Sequence, residues 1–317
     1  MNEQNVHAIG VDIGGTHTKI ALVDNRGKIS DLVRIETAVN PQNPKAFIER
    51  ICETAKRIQS SFKGNIVGVG VSCLGMQNEN GSGPRYSVNV PGLNDYNIRD
   101  CLQSQLGLPV KVTNDLMSHT LAEYYYGVGR GCTRFLCVAI GTGIGAAAIN
   151  NGEPIELWGG TSGDSGRIPL DPKSEFVCGG NIHGSAEALC GVAGIEEYAR
   201  RLYRKEGITA KDVITACRTG NDPIAEEIIK IVGQHTGHLI AILAMIFGPD
   251  RVALAGGTAN AGQVLLDSCC DRFDEIAGDY FRMLARTDPP VLSEIEIVFG
   301  KMRGEAGVVG GALGILK

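Results

Sequence analysis

The sequence GVDIGGTHTKIALVDNRGK, residues 10–28, places two glycines and two threonines between two apolar runs. Both runs have the composition of β-strands, and Asp24–Gly27 supplies turn residues, so we predict a β-hairpin within a larger sheet. A glycine pair between strands can be only a tight turn. It can also mark a point where the backbone approaches a phosphate too closely to allow a Cβ.

The same pattern returns at FLCVAIGTGIGAAAINNG, residues 135–152, and a third glycine cluster ends the apolar run in RVALAGGTANAG, residues 251–262. Two similar units ~125 residues apart indicate two similar halves, and strands that alternate with helices predict an α/β fold. Backbone amides and threonine hydroxyls in such clusters can donate hydrogen bonds to phosphate oxygens. The three clusters together favour one bound nucleotide, with plain hairpin turns as the alternative.

Composition excludes several classes of protein. The chain has 317 residues and a formal charge of -5, without a basic run of the kind that binds nucleic acid. The polar start MNEQNVHAIG is not a signal peptide. The longest apolar run, LIAILAMIF at 239–247, is too short to span a membrane and predicts a buried helix. Ten scattered cysteines are typical of free thiols, which predicts a cytoplasmic protein.

Apolar spacing predicts helices over 44–61, 97–106 and 116–127, a mainly helical stretch over 186–245 and a closing helix within 304–316. We place the boundary between two lobes near Asn114. The smaller lobe then comprises residues 1–114 with about 305–317, and the larger lobe comprises residues 115–304.

Four segments, DIGGTHTKIALVD, VTNDLMSHTLAE, IGTGIGAAAINNG and LAGGTANAG, resemble the ROK family of bacterial sugar kinases in their order and spacing. The resemblance covers nearly the whole chain. It implies a two-lobed actin-like ATPase fold, also called ribonuclease H-like, with duplicated mixed β-sheet halves and a cleft between them. Some members are repressors with an N-terminal winged helix, for which we expect no room because the first phosphate motif begins by residue 10.

The activity implied by this resemblance is glucokinase-like: ATP-dependent phosphorylation of a hydroxyl, most often the 6-hydroxyl, of a hexose or a similar sugar. ATP and Mg²⁺ are the implied cofactors and a homodimer the implied assembly. Asp12 is implied to help hold Mg²⁺ through water, although an aspartate that stabilises the turn is the alternative. For Lys19, the alternative is an exposed strand residue. The implied nucleotide contacts are Asp12, Gly14, Gly15, Thr16, Thr18, Lys19, Gly141, Thr142, Gly143, Gly256 and Gly257.

Asp115 is the residue to which we assign the chemistry. Transfer of a phosphoryl group to a hydroxyl needs a carboxylate that accepts the hydroxyl proton. Asn114–Asp115 ends a predicted strand and matches the catalytic pair of the family, with Asn114 as a ligand of the sugar. The alternative is an N-cap of the following helix, since both residue types cap well.

The sugar contacts implied by the resemblance are Gly75, Asn89, Asn114, Asp115, Asp164, Arg167 and Glu187. Asn89 can instead be a turn residue before Pro91. Arg167 can either offer a fixed cation to an anionic or acceptor-rich group of the substrate or pair with Asp164 or Glu187 and fix the loop.

This sequence departs from the family at its zinc site. The family has G-E-I-G-H and C-x-C-G-x-x-G-C-x-E, whereas this chain has GDSGR at 163–167 and CGGNIHGSAE at 178–187. Only Cys178 remains of the four zinc ligands, so we predict that structural zinc is absent. Cys178, His183 and Cys190 could form a makeshift site, but buried thiols and a loop histidine are the preferred interpretation.

These departures leave the substrate open. We keep as alternatives a sugar-sensing regulatory protein with little or no turnover, and a kinase for an amino sugar, an N-acetylhexosamine or an inositol. The intact Asp115 and the three glycine clusters favour the kinase.

Overall fold

The fold is mixed α/β and consists of two compact units, and the computed structural model describes residues 6–302 and 304–317. The first five residues, on which the signal-peptide prediction partly depends, lie outside this range. The first unit contains residues up to Arg130 together with Pro154–Gly163 and Lys301–Lys317. The second contains Gly131–Glu153 and Asp164–Gly300. The predicted division between residues 114 and 115 is a different partition and stays a prediction.

In the first unit, the strands of the main sheet are β1 (Val6–Ile13), β2 (His17–Asp24), β3 (Ile29–Glu36), β4 (Asn65–Cys73) and β7 (Val110–Asn114). Their order is β3-β2-β1-β4-β7. β1 pairs antiparallel with β2 across the glycine turn, which confirms the predicted hairpin, and parallel with β4. A small separate hairpin joins β5 (Met76–Gln77) to β6 (Pro84–Tyr86).

The helices of the first unit are α1 (Pro44–Ser61), α2 (Ile98–Leu106), α3 (Asp115–Tyr126) and α10 (Ala306–Leu316). These bounds agree with the four predicted helices to within two residues. Alternate residues of a strand face opposite sides of its sheet. Ile9, Val11 and Ile13 of β1 therefore join the apolar core that contains Phe47 and Ile51 of α1, whereas Gly10 and Asp12 face α10.

The second unit repeats this sheet. The sheet has the strands β8 (Arg134–Ile140), β9 (Ile144–Asn150), β10 (Glu153–Pro154), β11 (Arg251–Ala255) and β12 (Glu296–Phe299), in the order β10-β9-β8-β11-β12. Of β10, only Glu153 belongs to the second unit. Again the central strand pairs antiparallel with the next strand along the chain and parallel with a later one. The repeated sheet order confirms the duplicated halves predicted from the glycine turns.

The helices of the second unit are α4 (Ala186–Cys190), α5 (Val192–Tyr203), α6 (Ala210–Thr219), α7 (Pro223–Phe247), α8 (Gln263–Phe273) and α9 (Asp279–Ala285), with a π-helical turn, Asp274–Gly278, between the last two.

Helix α7 corrects one sequence argument. At 25 residues it is long and apolar enough to cross a membrane by length and composition, so the shortness of LIAILAMIF was the wrong criterion. Its most apolar window is 61% buried within the fold, and Gly233 and Gly237 lie against the backbone of α8, as in the core helix of a globular protein. Met245 and Ile246 at its end are exposed, so the predicted burial fails in the last turn.

Helix α10 lies directly on the backbones of β1, β4 and α3. A Cβ on Gly10 would overlap the carbonyl oxygen of Val308, and one on Gly70 would overlap that of Gly311. Similarly, a Cβ on Gly310 would overlap the carbonyl oxygen of Ser118 in α3. Because backbone atoms cannot move aside as a flexible side chain can, these glycines set the position of the closing helix.

We expect Gly70→Ala to destabilise the protein by about 1–3 kcal/mol, the usual cost of inserting a methyl group into a packed core. The measurement is the urea denaturation midpoint followed by circular dichroism. Gly179→Ala is the matched control, because a Cβ there has nothing within 4 Å, and it should change stability by less than about 0.5 kcal/mol. Equal midpoints for both variants would show that α10 is not positioned by this contact.

Candidate active site

Asp12 lies near the end of β1, opposite Lys19 of β2 and Ser72 of β4. Ser72 Oγ donates a hydrogen bond to Asp12 Oδ1 at 3.2 Å, and Lys19 Nζ lies 3.7 Å from Asp12 Oδ2. Lys19 also donates to the carbonyl oxygen of Gly304. The carboxylate is thus fixed by neighbouring strands, and Lys19 is engaged in this cluster rather than only exposed on the sheet.

One backbone amide of the first glycine turn is hydrogen-bonded within the hairpin. Gly14 N donates to the carbonyl oxygen of His17 at 3.1 Å, whereas Gly15 and Thr16 are exposed. Thr18 is fully buried, and its hydroxyl shares a 2.7 Å hydrogen bond with that of Thr37. The structure therefore gives the buried Thr18 a partner just after β3, whereas Gly15 and Thr16 are exposed.

Asn114 caps helix α3. Its Oδ1 accepts hydrogen bonds from the amides of Leu116 and Met117 at 3.0 and 3.2 Å, as the capping alternative requires. Its Nδ2 donates to the carbonyl oxygen of Gly75 at 2.9 Å, which joins the helix to the loop after β4. Asn114 is buried, and these hydrogen bonds engage both the oxygen and the nitrogen of its side chain.

Asp115 is the first residue of α3, with its cap supplied by Asn114. Loss of hydration raises the pKa of the Asp115 carboxyl to about 6. The amide of Leu116 opposes this shift, and the negative charge of Asp12 adds to it. At neutral pH the group is mostly ionised and more basic than an ordinary aspartate, which suits a proton acceptor.

Asn89 lies beside the first glycine turn, since a Cβ built on Gly15 would be 3.6 Å from Asn89 Cβ. Asn89 is exposed, on the segment between β6 and the short 3₁₀ helix Pro91–Leu93. Gly75 has a φ of 97°, and its carbonyl oxygen accepts from Asn114 and also from Gln77 Nε2 at 3.2 Å. The first unit therefore brings together the predicted residues Asn89 and Gly15, and separately Gly75 and Asn114.

In the second unit, the loop Gly141–Gly143 between β8 and β9 is tied to the start of α5. Gly141 N donates to the carbonyl oxygen of Gly143 at 2.8 Å. Val192 N lies 3.1 and 3.2 Å from the carbonyl oxygens of Gly141 and Thr142. A Cβ on Gly141 or on Gly257, after β11, would have nothing within 4 Å, so both backbones leave space for a ligand atom.

Arg167 forms ion pairs with both Asp164 and Glu187, the two acids predicted as its possible partners. Its Nη1 lies 2.6 Å from Glu187 Oε1, and its Nε lies 3.5 Å from Asp164 Oδ2. All three side chains are about two-thirds buried. The pairing that fixes the loop is therefore present, and a contact of Arg167 with the substrate stays a prediction.

Cys178 lies next to this ion pair. Burial alone would raise the pKa of its thiol, but hydrogen bonds from Ser185, from the amides of Ile182 and Gly180, and from Arg167 outweigh burial and lower the pKa. Arg167 therefore contacts a polarised sulfur as well as two carboxylates.

This cluster does not fit zinc. Arg167 places a permanent cation beside Cys178, and Gly180 and Ser185 supply no further sulfur ligands. His183 Nδ1 lies 3.0 Å from the carbonyl oxygen of Ser174, and buried Cys190 Sγ faces that of Val232. Within residues 6–302 and 304–317, no three His, Cys, Asp or Glu side chains are grouped to hold a metal ion. The absence of zinc stays a prediction.

Three residues near the site were missed by sequence reasoning. Ser72 could have been found from strand pairing, since it lies opposite Asp12. His119 follows Asp115 by one helical turn, where burial lowers the pKa of its imidazole, Asp12 opposes this and Lys19 reinforces it. Buried Glu123 accepts hydrogen bonds from the amides of Val128 at 3.1 Å and Met302 at 2.6 Å. Because Met302 lies far along the chain from Glu123, no local sequence pattern indicates the role of this buried carboxylate.

The two five-stranded sheets and their helices have the actin-like ATPase fold, as in the ROK hexokinase of Thermus thermophilus. The TM-score to that structure is 0.82, at 24% identity, with 97% of each chain covered. A ROK glucokinase from Streptomyces griseus in complex with glucose and AMPPNP has a TM-score of 0.76, at 23% identity, over 98% of this chain and 99% of that one.

The ROK family profile matches residues 8–314, and this chain belongs to the ROK family. A glucokinase from Halalkalibacterium halodurans is 29% identical over 320 residues, covering 96% of this chain and 93% of the relative. The transcriptional dual regulator NagC of Escherichia coli is 26% identical over 279 residues, covering 84% of this chain and 68% of the regulator. The family thus includes both kinases and a regulator among the relatives of this chain.

We expect purified protein to contain far less than one zinc ion per chain by mass spectrometric metal analysis. Overnight treatment with a chelator should leave the melting temperature unchanged, because Arg167 already joins the loops at Asp164–Arg167 and Cys178–Glu187. Stoichiometric zinc whose removal lowers the melting temperature would contradict this.

Proposed function

We propose that this protein is an ATP-dependent sugar kinase that phosphorylates a hydroxyl of a hexose or a hexose-like sugar, with Asp115 as the general base. The observation that carries the proposal is the pair of acids at one end of the first sheet. Asp115 has a raised pKa, and Asp12 is held by Ser72 and Lys19. Family membership and the glucokinase relatives support the same conclusion.

In the proposed reaction, the sugar hydroxyl oxygen attacks the terminal phosphorus of ATP as the bond to the bridging oxygen breaks. The hydroxyl proton passes to the Asp115 carboxylate, and ADP leaves. Asn114 fixes the start of α3, so the base is held on a rigid element. Positioning and charge neutralisation are the main contributions that a protein makes to phosphoryl transfer.

The nucleotide would contact the three glycine clusters, for which the open space at Gly141 and Gly257 and the exposed Gly15–Thr16 backbone are suitable. Mg²⁺ neutralises phosphate charge when it is bound, and Asp12 would hold it through water. Two acids in one place favour such a cation, since it reduces the repulsion between them.

The sugar would contact Asn89, Gly75 and Asn114 in the first unit and Asp164 and Glu187 in the second. Glu187 has one oxygen on Arg167, which leaves the other able to accept a hydrogen bond from a sugar hydroxyl. The 6-hydroxyl as acceptor, a homodimer and a cytoplasmic location belong to the same proposal. Light scattering after size exclusion tests the dimer.

The second candidate is a sugar-responsive regulator with little turnover. It is favoured by the NagC relative and by Arg167, whose pairing with Glu187 and Asp164 changes the sugar-binding end. The Asp115 environment argues for the kinase, because a pure sensor has no need for a base of raised pKa.

A coupled ADP-release assay over hexoses, amino sugars, N-acetylhexosamines and inositols separates the two candidates. The kinase should turn over at least one sugar at about 1–100 s⁻¹, the usual range for phosphoryl transfer. Glucose is the first sugar to test. Calorimetry should be run on the same panel, since tight binding of a sugar without any ADP release would favour the regulator.

We expect Asp115→Asn to lower kcat by about 10²–10⁴-fold, the usual contribution of a general base, with the Kd for ATP changed less than twofold. The wild-type kcat/KM should be lost as pH falls through about 6, because the base accepts a proton only when ionised and its pKa is raised to about 6. Initial rates between pH 5 and 8 measure this limb.

The control for this variant is stability at pH 8. A raised pKa means that the folded state disfavours the charged form of Asp115, so its neutral replacement should not lower the denaturation midpoint there. Retained activity in folded Asp115→Asn would remove Asp115 from the proposed role.

A further inference from the structure

Glu187 connects two loops of the second unit that the proposed function assigns to different substrates. We name Gly141–Gly143 the phosphate loop and Asp164–Arg167 the sugar loop. The Oε1 atom of Glu187 lies 2.6 Å from Arg167 Nη1 of the sugar loop. Its Oε2 atom lies so close to the phosphate loop that a Cβ on Gly143 would overlap it. One carboxylate therefore contacts both loops.

Several contacts keep this carboxylate in place. Glu187 is in the first turn of α4, whose N-cap is Ser185. Arg167 is itself held by Asp164, 3.5 Å from its Nε, and by Cys178. The guanidinium lies close to the Gly180 backbone, since a Cβ built there would be 3.6 Å from Arg167 Nε, an ordinary van der Waals contact. The planar guanidinium, with donors in fixed directions, can serve these partners at once.

The phosphate loop is held against the same helices. Val192 N, at the start of α5, contacts the carbonyl oxygens of Gly141 and Thr142. A Cβ on Gly191 would be 2.8 Å from the carbonyl oxygen of Thr142. If Glu187 moved toward or away from Gly143, the phosphate loop could not easily move with it, because these contacts hold the loop in place.

We propose that Arg167 is a positioning residue, and that the Glu187 carboxylate it holds couples the sugar loop to the phosphate loop. This inference rests on the proposed function, because it takes Glu187 as a sugar contact and Gly141–Gly143 as a nucleotide contact. Its specific consequence is that a substitution in the phosphate loop changes sugar affinity with no nucleotide present.

The first test compares a glycine of the phosphate loop with a glycine outside the proposed ligand contacts. Calorimetry without nucleotide measures the Kd for glucose, or for the panel sugar of highest kcat/KM. Gly143→Ala should raise the sugar Kd about tenfold, because its methyl group displaces Glu187 Oε2. Gly179→Ala is the matched control, since a Cβ there has nothing within 4 Å and Gly179 has no proposed ligand contact, and it should change the Kd less than twofold. An unchanged Kd in Gly143→Ala would overturn the coupling.

The second test removes the cation. Arg167→Ala should raise the sugar Kd about tenfold, and Arg167→Lys should raise it less, because lysine keeps the charge without the fork. Arg200→Ala removes another arginine–glutamate pair of 2.6 Å, on α5, and should leave the Kd within twofold. Binding stoichiometry near one in each variant shows that the protein is folded; if Arg167→Ala does not fold, Arg167→Lys and Gly143→Ala decide the outcome.

The double variant Arg167→Ala/Gly143→Ala distinguishes coupling from general loosening. Both changes act through Glu187, so their combined effect on Kd should be clearly smaller than the product of the single effects. A full product would overturn the proposal. If the wild-type protein binds no sugar of the panel, the proposed function itself fails; if it binds one and Gly143→Ala binds it equally, only the coupling fails.

Discussion

The packing of helix α10 on bare backbone is the constraint on which the first unit depends. Its residues Val308, Gly310 and Gly311 contact β1, α3 and β4 where glycines leave no side chain between them. The same helix begins beside Asp12, because a Cβ on Gly307 would overlap the Asp12 carboxylate. A segment at the end of the sequence thus fixes the surroundings of an acid near its beginning.

Two acidic side chains, Asp12 and Asp115, lie near that contact, and their negative charge is only partly neutralised. Lys19 and Ser72 contact the Asp12 carboxylate. Loss of hydration raises the pKa of Asp115, and the negative charge of Asp12 raises it further. A protein selected only for stability would gain by replacing such an acid with a neutral residue. Acids in such surroundings are typical of functional sites, and the proposed roles of Asp115 and Asp12 would account for them.

The second unit has two loops that are held together by one arginine. Its loops at Asp164–Arg167 and Cys178–Glu187 have little secondary structure of their own, apart from short 3₁₀ and bridge pairs. A guanidinium joins them through two carboxylates and a sulfur. This link uses both the fixed donor directions and the permanent charge of arginine. The proposed nucleotide contacts of the unit, by contrast, are mainly glycines, and a Cβ on Gly141 or Gly257 would have nothing within 4 Å.

The sequence by itself determined the strands, the helices and the duplication, because apolar periodicity and glycine turns are local patterns that can be recognised without the tertiary structure. It also indicated Asp115 and the glycine clusters as the places for chemistry, through the order and spacing of four motifs. Only the tertiary structure decided what each side chain contacts: that Asn114 caps α3 and contacts Gly75, that Thr18 bonds to Thr37, and that Arg167 pairs with both acids. These contacts join residues 19 to 39 positions apart, or lie on loops whose path the sequence does not encode locally. Partners of that kind are fixed by packing, and packing exists only once the chain has folded.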